Sequence, residues 1–236
     1  MAELQLTRFP KHAFMSLVHG ITSSLLALLA LRLTIEYFHR PLAQAVMAGL
    51  DVIAIFCFLC GMMAVYLLAL LRPTEIGESQ ENSHACVIFM TWASSVPFLH
   101  FQFFHTPLLQ LTLLFIMTFL SVWFSSFVQF SYMRRDSIAA CCLLCVIAIL
   151  PAIYAIFQPT ACRYDIAAEY VKLHIMWLLG ASIYAMNLPE RLGFFVHSHL
   201  SLVVMHIIVA AASVAFSANL LRAFQTSSQF THLCRF

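Results

Sequence analysis

Seven apolar runs, each long enough to cross a lipid bilayer as a helix, leave this chain few choices of fold. A spanning helix needs about 20 mostly apolar residues. The runs at about 13–35, 44–71, 84–104, 107–131, 137–158, 167–188 and 195–222 qualify. Of the 236 residues, 62% are hydrophobic and 9% charged, where a soluble domain carries about a quarter charged. No soluble fold of this size hides so much apolar surface, so the bilayer is the expected solvent. The expected fold class is all-α: a polytopic membrane protein with seven transmembrane helices, residues 1–236 forming one seven-span membrane domain.

The connections are short. His105-Thr106-Pro107 alone separates the third and fourth runs, which predicts a tight helical hairpin. The acidic stretch TEIGESQEN (74–82) is the only long polar connection and is too short for a domain. The sixth run is the least apolar at its start, with Asp165, Glu169 and Lys172 expected at or above the interface. The first run is too long for a signal peptide and no small-residue cleavage site follows it, so it is expected to stay. The basic residues are scattered and the nominal charge is +2, so membrane lipids, and not nucleic acid, are the expected partners.

Orientation is balanced. With the N-terminus inside, Arg8, Lys11, Arg72, Arg134, Arg135 and Arg191 lie inside; Arg32, Arg40, Arg163, Lys172, Arg222 and Arg235 lie outside. That is a tie under the positive-inside rule. Arg134-Arg135 and the basic N-terminus tilt the expectation to a cytoplasmic N-terminus. Cys162 and Cys234 then share an oxidising compartment, where a disulfide between them persists if they pair; whether they pair stays open. The other six cysteines sit in apolar runs as small hydrophobes, and Cys57-Cys60 is a CxxC without a second pair.

Charged groups inside the runs are few. Arg32 and Glu36 are four apart and can pair on the first helix. Asp51 lies on the same side of the bilayer, and an Arg32–Asp51 ion pair locking two helices is the plainer reading. An ion or proton relay is the alternative, but it needs a chain of such groups, and the middles of the fourth and fifth runs offer none.

The segment Tyr184 to His206, YAMNLPERLGFFVHSHLSLVVMH, joins the sixth run to the seventh. Pro189-Glu190-Arg191 is expected to stop the sixth helix, since proline lacks a donor and disfavours helix before it. Histidines just inside a membrane boundary face a cavity, a partner or a metal. His19, Glu81, Ser83, His84, His197 and His199 form one polar layer on the N-terminal side, with His206 deeper. Catalytic zinc takes three protein ligands and a water. His197 and His199 point about 200° apart, and His199 and His206 lie roughly 10 Å apart along the axis, so the last span offers one ligand. The candidate metal ligands are His199, His84 and His206. The plainer alternative is a layer satisfied by interface water and helix ends. A bis-histidine haem needs facing histidines in mid-membrane, and the deep ones, His100, His174 and His206, form no obvious pair.

Seven spans with YAMNLPER, then SH, then VVMHIIVAAASVAF resemble the progestin and adipoQ receptor family, which includes the adiponectin receptors and hemolysin III-like proteins. Ser16-Leu-Val-His19-Gly, Ser95-Val-Pro97 and Leu150-Pro151 look like further family positions. The resemblance implies zinc held by one histidine late in span two and two histidines four apart on span seven. An aspartate at the start of span three would hold the metal-bound water. Here span two reads Met63-Ala-Val-Tyr66-Leu-Leu, the aspartate position falls at Ser83, and Val203 stands four after His199. The implied zinc site is therefore incomplete. A rebuilt one would draw on His84, His199 and Glu81. The expectation is a receptor-like protein that takes a lipid or steroid-like ligand in an intramembrane cavity. The alternative is a zinc-dependent lipid amide or ester hydrolase of the ceramidase type, in which metal-bound water attacks a carbonyl. A scaffolding role is also open.

Overall fold

The computed structural model describes residues 11–71, 79–130, 134–157, 166–192 and 200–230; at 11–13, 42–47, 71, 79–83, 129–130, 134–135 and 227–230 it describes the backbone course alone. The described residues form eight helices: α1 Lys11–Phe38, α2 Leu42–Leu71, α3 Ser79–Gln102, α4 Pro107–Phe130, α5 Arg134–Ile156, α6 Ala167–Met186, α7 Leu188–Arg191 and α8 Leu200–Phe230. Each expected run contains one long helix. Six of them, α1, α2, α3, α4, α5 and α8, are long and apolar enough to cross a membrane, which marks the chain as an integral multi-pass membrane protein. α6 falls short of the others in apolar character because Glu169, Lys172 and His174 lie in its first half.

The helices pack into a closed ring in chain order. α1 packs on α2, α2 on α3, α3 on α4, α4 on α5, α5 on α6, α6 on α8, and α8 returns to α1. α3 also touches α5 and α6, and its side chains from Ile88 to Phe101 supply much of the core. The pattern is inside-out relative to a soluble bundle. Leu17, Ile21, Leu28 and Leu31 of α1 and Leu111, Phe115, Val122 and Trp123 of α4 face outward, while Thr91, Ser94, Ser95, His174 and Ser213 are buried. Lipid tails are as apolar as leucine, so helix association there rests on close packing and polar contacts. Gly61 of α2 meets Phe89 and Ala93 of α3, and Gly180 of α6 meets Met205 of α8. Several hydroxyls within the helices are satisfied locally: Thr22, Thr91, Thr118, Ser182 and Ser213 each donate to the carbonyl four residues back, as suits an apolar solvent.

The expected α3–α4 hairpin is present, its turn closed by Thr106 N–H donating to the Phe103 carbonyl at 2.9 Å. Two local expectations need correction. α6 ends at Met186 and is capped by Asn187, two residues before Pro189, because Asn187 takes a left-handed conformation (φ 47°) that asparagine tolerates; Pro189 sits in the first turn of α7, where its missing N–H costs no bond. The last helix also runs on past residue 222 to Phe230. At that end Arg40 donates to the Phe224 carbonyl at 2.7 Å and lies over the Phe224 ring at 3.8 Å, tying the α1–α2 turn to α8.

Candidate functional site

Three long helices bring polar rings together in an otherwise apolar seam. His19 of α1 is 4% exposed and Tyr66 of α2 is 2% exposed. The His19 and His206 rings meet edge to face with centroids 4.9 Å apart, and His19 lies 5.7 Å from Tyr66. His206 stands about 9 Å along α8 from Leu200. Among the described residues, His19 Nδ1 and the Tyr66 hydroxyl are buried without a hydrogen-bond partner. Ser213 is near Tyr66; its hydroxyl donates to the Val209 carbonyl at 2.7 Å and keeps its oxygen lone pairs for accepting. A buried polar atom left unpaired costs about 1–3 kcal/mol.

The expected site residues divide. His19 and His206 come together. His84 lies in the second turn of α3, and its carbonyl accepts the Cys141 thiol at 3.6 Å. Glu81 and Ser83 lie on α3 with their side chains outside the described set, and His197, His199, Asp165, Cys162 and Cys234 lie outside the described residues. Among the described residues no three of His, Cys, Asp or Glu gather to hold a metal ion. The seam offers two imidazoles and a phenol, which do not fit a three-ligand zinc centre. Cys57 and Cys60 form no disulfide.

The Arg32–Asp51 pair is not formed. Arg32 Nε donates to Glu36 at 2.9 Å on the outer side of α1, and Gln225 of α8 donates to the same Glu36 oxygen at 2.6 Å. Asp51 pairs instead with His100 Nε2 at 2.7 Å, and Gln110 Nε2 lies 3.2 Å from His100 Nδ1. Rotation of α1 about its axis turns Arg32 outward, while the tight hairpin brings His100 and Gln110 to the level of Asp51. Glu169 is held by Lys172 at 2.6 Å and by Asn219 at 2.9 Å.

Sequence reasoning passed over Tyr66, treating it as a place where a histidine was missing. The available signal was that it is the one polar side chain in the Met62–Leu70 stretch. A second polar core, between α3, α5 and α6, also went unseen. There the Tyr170 hydroxyl shares a 2.7 Å hydrogen bond with Ser95, and Tyr170 stacks on Phe98 at 4.1 Å. Thr91 meets Cys145 at 3.5 Å.

Together, fold and site define an integral multi-pass membrane protein with a buried polar seam. No protein-family model, curated protein or solved structure matches this chain.

Proposed function

We propose that the chain is a receptor-like membrane protein of the progestin and adipoQ receptor type, with α6 as its seventh crossing. In this reading the His19–Tyr66–His206 seam receives the polar head of a lipid or steroid-like ligand. Twenty residues of α6 extend about 30 Å, the thickness of a bilayer core, and its Tyr170–His174–Trp177 face is buried against its neighbours. The observation that carries the reading is the meeting of His19, Tyr66 and His206 with polar atoms left open in the bundle interior. An N-terminus in the cytoplasm accompanies the proposal, resting on Arg134-Arg135 and the resemblance.

The test is thermal stabilisation of the purified full chain in nanodiscs by a panel of single-chain amphiphiles and steroids. A ligand of the seam raises the unfolding temperature of the wild type, and its apparent affinity falls roughly tenfold in Tyr66→Phe and in His19→Ala, about the value of one or two lost hydrogen bonds. No shift with any compound, or shifts indifferent to both substitutions, would remove the reading.

A further inference from the structure

We propose that His174 and Trp177 of α6 form a seat for one hydroxyl oxygen, filled by the alcohol group of an amphiphile from the bilayer. The inference goes beyond the seam described above and uses none of its residues. His174 is fully buried and Trp177 is 5% exposed. They lie one helical turn apart on the same face, with ring centroids 5.1 Å apart. His174 Nδ1 lies 3.0 Å from the Tyr170 carbonyl. A carbonyl only accepts, so Nδ1 carries the proton, and Nε2 of the neutral ring is an acceptor. The indole N–H of Trp177 is a donor only. Among the described residues, His174 Nε2 and Trp177 Nε1 are both buried with no partner. One acceptor and one donor, on neighbouring rings of one helix face, select the chemistry of what would satisfy both. A carbonyl or ether satisfies only the tryptophan, and an ammonium group only the histidine. A hydroxyl accepts from Trp177 and donates to His174 at once.

The seat lies deep. Gly180 sits against Met205, and Glu169 bonds Asn219, so the antiparallel α6–α8 register puts His174 and Trp177 between those two contacts, away from both helix ends. Tyr170, one turn before His174, is closed by Ser95 and stacked on Phe98, which walls the seat on that side. A hydroxyl at this depth comes from a membrane alcohol or from a trapped water, and the experiment separates the two.

The full chain in nanodiscs is irradiated with 1-hexadecanol bearing a mid-chain diazirine and a terminal alkyne, and in parallel with the methyl ether of that probe. Labelled peptides of α6 and α8 are quantified. The wild type is expected to favour the alcohol by roughly five- to tenfold, the scale of one buried hydrogen bond. The preference is expected to vanish in His174→Phe and in Trp177→Phe, and to persist in His206→Ala, whatever becomes of ligand binding at the seam. A variant counts only if it elutes from size exclusion like the wild type, and either of the two suffices. Equal labelling of the wild type by both probes overturns the proposal and leaves a trapped water only. An alcohol preference that survives loss of either His174 or Trp177 overturns it too, because the hydroxyl is then recognised elsewhere.

Discussion

Glu190 Oε1 accepts a hydrogen bond from the backbone N–H of Ser201 at 2.8 Å. The acid of the Pro-Glu-Arg tripeptide thus caps the first turn of α8, where backbone N–H groups lack helical partners and the helix dipole favours negative charge. Through this bond the short α7 fixes where the last long helix begins, and with it the position of His206 against His19. We predict that Glu190→Ala lowers stability by about 1–2 kcal/mol, the usual cost of a lost cap, while Glu190→Gln loses less because its amide oxygen still accepts. Denaturation by titrated SDS measures both. Equal stability of Glu190→Ala and wild type would contradict the capping role.

Asp51, His100 and Gln110 form a second tie, across α2, α3 and α4. Both members of the Asp51–His100 pair are largely buried, with side chains 15% and 10% exposed. Removing the carboxylate strands an imidazole nitrogen, so Asp51→Ala is expected to cost about 1–3 kcal/mol. Asp51→Asn keeps an accepting oxygen and should cost less. Arg32, 61% exposed and paired along its own helix, is expected to tolerate Arg32→Ala within about 0.5 kcal/mol. The same SDS titrations rank the three variants, and an Arg32→Ala loss as large as that of Asp51→Ala would reverse the assignment.

That contrast also shows what the residues gave away. Apolar length located every long helix, and His105-Thr106-Pro107 located the hairpin, because both depend on local chain properties. Partner choice did not follow, since it depends on how each helix is turned about its axis. Arg32 and Asp51 share a side of the bilayer, yet α1 presents Arg32 outward. His100, taken as an isolated deep histidine, is the residue that the hairpin delivers to Asp51. His19 was legible as polar and near a boundary, but its neighbours Tyr66 and His206 come from helices distant in sequence. The stop of α6 was misplaced by two residues because Asn187 supplies a left-handed turn that the proline signal concealed.

Gly61 sets the approach of α2 to α3. A Cβ built there lies 3.1 Å from Phe89 Cε1 and 3.3 Å from Ala93 Cβ. The Phe89 ring faces outward in part and can swing, but Ala93 is fixed to the backbone of α3. Gly61→Val is therefore expected to push the helices apart and cost about 1–3 kcal/mol by overpacking. Gly49, whose added Cβ meets nothing within 4 Å, should accept alanine without loss. Thermal unfolding of the two variants in one detergent compares them, and a Gly61→Val as stable as Gly49→Ala would mean that α2 and α3 are not in this contact.

The last prediction concerns metal. The seam brings two imidazoles, His19 and His206, within 4.9 Å between ring centroids, with the Tyr66 phenol beside them. Two neutral nitrogens and a phenol make a weak zinc set, because the usual third ligand is another imidazole, a thiolate or a carboxylate. Among the described residues no such third group converges on the pair. Protein purified without chelator and analysed by elemental mass spectrometry is expected to carry less than one zinc per chain. Introducing the missing ligand supplies the converse test: Tyr66→His sets a third imidazole beside the pair, and zinc content is then expected to rise toward one per chain. A wild type that already holds a full zinc, lost on His206→Ala, would show that a ligand outside the described residues completes the centre and would restore the hydrolase reading.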